Sequence, residues 1–214
     1  MKKRATPLPW GRRPSTLPAR EAEHVEAPMT VAGDRAELER VWEEHTAGEF
    51  RTLDLDATMA TMADAPVVLH VPTAMGARGR APVRDFYARW FVGRNPEDFA
   101  IAPLSRTVDV RRIVDEMIVS FTHDIEVPWI LPGVQPTHLP VSIPVIAVVD
   151  FDGSLIASEH IYWDQAAVLA QTGLLAADRE WNLPIVADQP GILIDGALNQ
   201  LAEEPRAAKD QPVT

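Results

Sequence analysis

Residues 138–165 read HLPVSIPVIAVVDFDGSLIASEHIYWDQ. Apolar residues alternate with others up to Phe151 and again from Leu155, a period of two that predicts two β-strands. Asp152-Gly153 is a tight-turn dipeptide, so the two strands are expected to pair as an antiparallel hairpin. The second strand ends in two carboxylates, an imidazole, a phenol, an indole and an amide, Glu159 to Gln165, and DQAAVLAQTGLL then has the pattern of a helix starting near Asp164, with Gly173 as its stop.

Working back toward the N-terminus, the same period predicts strands near IAPLSRTVDVRRIV and EMIVSFTHDIEV. Earlier still the period changes. DRAELERVWEEHTAGEF places Leu38, Val41, Trp42 and His45 on one helical face, with Asp34 as cap and Gly48 loosening the end. LDLDATMATMA predicts a second helix capped by Asp54 or Asp56, APVVLHVPT (65–73) a first strand, and Gly76 with Gly79 a turn. RAPVRDFYARWFVG predicts a third helix whose apolar face holds Val83, Phe86, Tyr87, Trp90 and Phe91. Helices followed by antiparallel strands make an α+β domain, with helices laid on one face of a curved sheet.

Composition narrows the function. The chain has 214 residues and a formal charge of −11, and its first twenty residues hold six Lys or Arg and no acid, which leaves −17 for the rest. An acidic body repels phosphate backbones, so no nucleic-acid partner is expected. The absence of cysteine excludes disulfides, thiolate nucleophiles and cysteine-type zinc sites. No apolar run is long enough to span a membrane, and no apolar stretch of a secretory signal follows the basic start, so the expected location is cytoplasmic. Residues 1–33, with Pro7, Pro9, Pro14, Pro18 and Pro28, are expected to form a disordered or loosely docked basic arm, 34–202 the single domain, and 203–214 a flexible tail.

The segments LDLDATMATMADAPVVLHVPT, RDFYARWF, SRTVDVRRIVDE, FTHDIEV and EHIYWDQAAVLAQTGLL resemble a branch of the SnoaL-like group, part of the nuclear-transport-factor-2-like superfamily. The resemblance runs from about Asp34 to Leu175. It implies a cone-shaped α+β barrel, a strongly curved and mainly antiparallel sheet with the N-terminal helices packed on its concave face. It also implies a conical pocket, an acid–base residue on the last strands in members that are enzymes, and a homodimer through the outer face of the sheet. Where an acid would be expected beside the tryptophan of IEVPWILPG, this chain has Pro128.

Candidate chemistry follows from strand alternation. Leu155, Ala157, Glu159, Ile161 and Trp163 share one face of the last strand, with Ile156, Ser158, His160, Tyr162 and Asp164 on the other, so Glu159 interrupts an apolar row and suits a proton-handling role. His123, in a row with Val119, Phe121, Ile125 and Val127, and His70, between Val68 and Pro72, are the other polar residues on apolar faces. Glu159, His123 and His70 are therefore the catalytic candidates, and Trp129, Phe121, Tyr162 and Trp163 the candidates for binding an apolar ligand. Each also has a structural reading, as a solvent-facing strand end, a hydrogen-bonded histidine or core aromatics. Asp164 reads as a helix cap.

His123-Asp124 and Glu159-His160 are neighbours whose side chains diverge on a strand, so no metal is expected, and neither a phosphate-binding loop nor G-x-S-x-G occurs. No cofactor is expected. Two functions stay open. One is a small-molecule acid–base enzyme, of the isomerase, cyclase, dehydratase or epoxide hydrolase type, acting on a hydrophobic carbonyl-bearing or cyclic metabolite. The other is a non-catalytic ligand-binding or dimerisation module of the same fold.

Overall fold

A computed structural model describes residues 34–175 and 188–194. The expectations for residues 1–33 and 203–214, and the domain boundary at 202, lie outside the described residues. The first helix, α1 (Arg35–Phe50), starts where Asp34 accepts the Ala36 N–H at 3.2 Å. Its buried face continues past the expected apolar stripe into Gly48 and Glu49. Helix α2 (Leu55–Ala60) is capped by Asp54, which accepts from the N–H groups of Asp56 and Ala57.

Strands β1 (Met62–His70) and β2 (Met75–Arg78) form an antiparallel pair where the sequence predicted one strand and a turn. Gly76 explains the difference. With φ at +141° and its Cα against the Val68 carbonyl, it lets a short strand run closer than any side chain would allow. Helix α3 (Arg80–Trp90) buries Val83, Phe86 and Tyr87. Then come β3 (Ala100–Val108), β4 (Arg112–Thr122), β5 (Pro140–Asp152) and β6 (Leu155–Trp163), followed by α4 (Gln165–Gln171), capped by Asp164 as expected, and α5 (Gln189–Ile194).

The six strands lie in the order β2-β1-β6-β5-β4-β3. Neighbours are antiparallel except β1 and β6, which run parallel. Helix α1 touches both β6 and the edge strand β3, which are three strand positions apart, while α3 covers β1 and β2. One helix can reach both only if the sheet curls around it, so the fold is α+β with its helices in the concave face of a curved, open sheet.

Two strand expectations need correction. β4 stops at Thr122, so His123, Ile125 and Val127 belong to the loop that precedes β5 rather than to a strand row. In the hairpin, Asp150 pairs with Ser158 but Phe151 with Ile156, so Ala157 is an extra residue in a β-bulge. The bulge inverts the faces before it: Ile156 is fully buried and Leu155 is 40% exposed. After it Glu159 points inward. The apolar outer face expected to support dimerisation is also smaller than alternation suggests, because Ile118 and Ile156 are buried within the chain, leaving Ile146 and Tyr162 exposed. Among the described residues no helix is long and apolar enough to cross a membrane.

Gly48 does not loosen α1, which continues to Phe50. A Cβ there would strike Thr58 Oγ1 and lie 3.0 Å from the Thr58 backbone N, so glycine is what lets α2 dock on α1. Alanine would gain about 1 kcal/mol in helix propensity, against a steric penalty of about 1–3 kcal/mol. Gly48→Ala is therefore expected to lower the melting temperature, and a rise would show that α2 can yield.

Candidate active site

Between α1, α3 and the concave face of the sheet lies a cavity of about 480 Å³. That is within the usual range for small-molecule sites. Phe50, Phe91, Phe99, Trp129 and Val145 give it apolar walls, while Arg51, Arg106 and Glu116 also line it. Against this background its buried polar groups are few: Glu49 from α1, Tyr87 from α3, His70 from β1, Asp115 from β4 and Glu159 from β6.

Glu159, 3% exposed, meets two partners at once. Its Oε1 accepts the Tyr87 hydroxyl at 3.1 Å and lies 3.1 Å from His45 Nε2. The same Nε2 is 3.2 Å from Glu49 Oε1 and 3.3 Å from the Tyr87 oxygen. His45 and Glu49 are one helical turn apart on α1, which is why both reach the same point.

The hydrogen bonds on the far side of the ring fix its tautomer. Thr61 donates its only hydroxyl proton to the Thr58 carbonyl at 2.7 Å, so towards His45 Nδ1, 2.7 Å away, Thr61 can only accept. Nδ1 therefore carries a proton. Nε2 would then turn a lone pair on two carboxylate oxygens unless it too were protonated, or unless a carboxyl gave it a proton. One mobile proton is thus shared at the junction of His45, Glu159 and Glu49. Trp42 stacks on the ring, with centroids 5.6 Å apart and planes 13° from parallel, and donates its indole N–H to Asp115 at 2.7 Å.

Burial alone would push His45 down, but the charges of Glu159 and Glu49, and its hydrogen bonds to them, outweigh burial and hold it up at about 10. Burial pushes the Glu49 carboxyl up, toward its neutral form, with the His45 charge opposing. Burial and then the charges of Glu159 and Glu49 push the Tyr87 phenol up, so it remains a donor. Burial pulls His70 down to about 4, leaving it neutral near pH 7.

The other candidates separate by position. His70 lines the cavity beside Trp129, whose ring centroid is 4.9 Å away, and Trp129 lines it too, donating its indole N–H to Asn95 at 3.0 Å. His123 is buried at the start of the β4–β5 loop, where its Nδ1 accepts the Thr137 N–H at 3.2 Å, and it does not line the cavity. Phe121 is core, stacked on Phe99. Trp163 stands behind His70 and Trp129, edge-on to the latter, and Tyr162 is 41% exposed on the opposite face. Phe121, Trp163 and Tyr162 are therefore not in the wall: the first two pack in layers behind it, and Tyr162 alternates to the outer face of β6.

Sequence reasoning placed His45 and Tyr87 on apolar helix faces without assigning them chemistry, and it missed Glu49. The available signal was H-x-x-x-E closing the buried stripe of α1. It also missed that His45, Glu49 and Glu159 offer ligand atoms within 4.8 Å of one another, a spacing a small cation could bridge as well as a proton.

The raised His45 sets a pH dependence. Its folded value, about 10, lies above the ordinary 6.5, so its contribution to stability is complete below 6.5 and is lost as pH rises toward 10; Glu49, also raised, acts in the same direction. Chemical denaturation at intervals from pH 6.5 to 10 should show falling stability in the wild type and a much shallower fall in His45→Gln. Equal slopes would mean the ring is not the proton's holder.

A family model described as the SnoaL-like domain matches residues 42–159. Three solved structures are similar over nearly their whole length. TsrD from Streptomyces laurentii is 19% identical, with 66% of this chain and 98% of that one covered at a TM-score of 0.54. AclR from Streptomyces galilaeus, named a hydroxylase, is 19% identical, with 66% and 99% covered at 0.51. A Jannaschia sp. CCS1 protein named a SnoaL-like polyketide cyclase is 14% identical, with 70% and 96% covered at 0.55. No curated protein matches the chain. At these identities the structures testify to fold alone. The family match takes in more than half the chain and reaches from Trp42 on α1 to Glu159 on β6, and the chain belongs to the SnoaL-like family.

Proposed function

We propose that the protein is an acid–base enzyme acting on a hydrophobic, carbonyl-bearing cyclic compound, with Glu159 as the group that takes and returns the substrate proton. The observation that carries this reading is the convergence of Glu159, Glu49 and Tyr87 on one apolar cavity, with His45 behind them within hydrogen-bond reach of all three. In the step proposed, a C–H beside the carbonyl gives its proton to Glu159, the C–H electron pair moves onto the carbonyl oxygen, and the proton returns to another atom of the same compound. No external reactant is needed. His45 and Glu49 hold a further proton beside Glu159, so the cluster can re-equilibrate without water entering. Tyr87 keeps one Glu159 oxygen fixed in place.

A second reading keeps the ligand and drops the reaction. The same cluster joins α1 to β6, and it would do so in a pure binding module. Proton exchange separates the two. In D2O, with 1-tetralone and 2-tetralone as probes, the wild type is expected to speed deuterium incorporation beside the carbonyl, measured by NMR. Glu159→Gln should cut that rate by at least about a hundredfold, the lower range for a general base. Its melting temperature should change little, because the Gln carbonyl still accepts from Tyr87 and Glu49 remains beside His45. No acceleration with either ketone, or an unaffected rate in the variant, would leave the binding module as the better reading.

A further inference from the structure

Helix α1 crosses the concave face like a beam on two supports. His45 ties it to Glu159 of β6 at 3.1 Å and Glu43 ties it to Arg106 of β3 at 3.2 Å, and β5 and β4 lie between those two strands, beneath the helix. Alternate residues of β5 are buried on that face: Val141, Ile143, Val145, Ala147, Val149 and Phe151. All are branched or aromatic except Ala147. Its neighbour Ile146 is 41% exposed on the outer face, so the Ala147 methyl points inward, and Ala147 lines the cavity together with Val145. Ile161, opposite Ala147 on β6, and Met117, opposite Val145 on β4, line the cavity as well and are only half-buried although they stand on the concave face. Packed interiors leave few voids, so a hollow at this place points to the one side chain that is short.

We propose that Ala147 is the specificity-determining residue of the cavity: its bare methyl keeps open, under α1, the room for the second ring of a fused bicyclic ligand. The strand register supplies the dimension. Ala147 is opposite Ile161 and Val149 opposite Glu159, so Ala147 is one strand over and two residues along from Glu159. With strands about 4.8 Å apart and a rise of about 3.3 Å per residue, the two Cα atoms are roughly 8 Å apart. A ring with its reacting carbon at Glu159 therefore leaves the space over Ala147 to a second ring fused to it. That second ring is apolar. Asp115, opposite Ala147 on β4, is taken up by Trp42 and by two hydrogen bonds from Arg106, so the ring meets no unpaired charge there.

This inference deepens the reading above and rests on the same cavity being the ligand site, but it concerns binding and does not require Glu159 to act. The test titrates 2-tetralone and cyclohexanone, two rings against one, into the wild type and Ala147→Leu by NMR. In the variant the affinity for 2-tetralone is expected to fall at least about tenfold, as for a ring forced against an added side chain, while that for cyclohexanone changes little. If Ala147→Leu does not fold, Ala147→Val carries the comparison. The ¹³C-methyl resonance of Ala147 in the wild type gives a reading without any substitution: the aromatic ring of 2-tetralone should shift it, and cyclohexanone, which has no ring current, should shift it far less. The proposal is overturned by an unchanged affinity for 2-tetralone in a folded variant, by an equal loss of both ketones, by an unmoved Ala147 methyl, or by no binding of 2-tetralone to the wild type at millimolar concentration. Selective loss of 2-tetralone without deuterium exchange in the wild type would support this proposal while removing the enzymatic reading, and exchange with the variant's affinity unchanged would do the reverse.

Discussion

The imidazole of His45, wedged between Glu49 and Glu159, is the contact on which the rest of the molecule turns. Two carboxyl groups can sit together in an apolar wall only if a proton or a cation is shared between them, because desolvation and mutual repulsion add. His45 supplies it, and since Glu49 comes from α1 and Glu159 from β6, the compensation also fixes where the helix lies on the sheet. A second tie acts at the same helix: Trp42, stacked on His45, bonds Asp115 of β4, which in turn holds Arg106 of β3 through two hydrogen bonds. The position of α1, and with it the roof of the cavity, is set by polar pairs rather than by its modest apolar stripe.

Within that frame the histidine behind the cavity wall and the one in it have opposite characters. His45 faces carboxylates and is held protonated; His70 faces aromatic rings and is held neutral. Similar burial acts on both; at His45 the charges and hydrogen bonds of Glu159 and Glu49 outweigh it, and at His70 the Glu159 charge does not. Groups whose surroundings push their protonation apart in this way divide acid from base, and donor from acceptor, inside one small volume. The two ends of the cavity therefore differ: protons are held at the α1–β6 seam, while the ring where β1 finishes stays neutral beside Trp129.

The elements most legible in the sequence were those governed by local rules. Asp34, Asp54 and Asp164 announce their helices because a short acidic side chain satisfies free N–H groups wherever it stands, and Asp152-Gly153 announces the last hairpin. The inward aim of Glu159 was also legible, although its neighbours were misplaced: Ala157 adds a residue to β6, and period-two reasoning cannot see a bulge before pairing is known. His123 was misassigned because β4 ends at Thr122, five residues before its apolar pattern does, and loop residues such as Val127 are buried for reasons of packing that periodicity imitates.

What no local rule could supply is the partnership itself. His45 and Glu49 come from α1, Tyr87 from α3 and Glu159 from β6, with up to 114 positions between members. Each has an ordinary reading in its own segment: a helix-face histidine, a terminal glutamate, a core tyrosine. Chemistry arises only when the curl of the sheet brings the three elements to one point. For the same reason the fold can hold while the chemistry varies, since replacing one of these side chains leaves the strand order and the helix caps intact. A shared fold at under 20% identity with TsrD and AclR is therefore compatible with different reactions, and the identity of the groups at the α1–β6 seam, more than the architecture around them, is what distinguishes one such cavity from another.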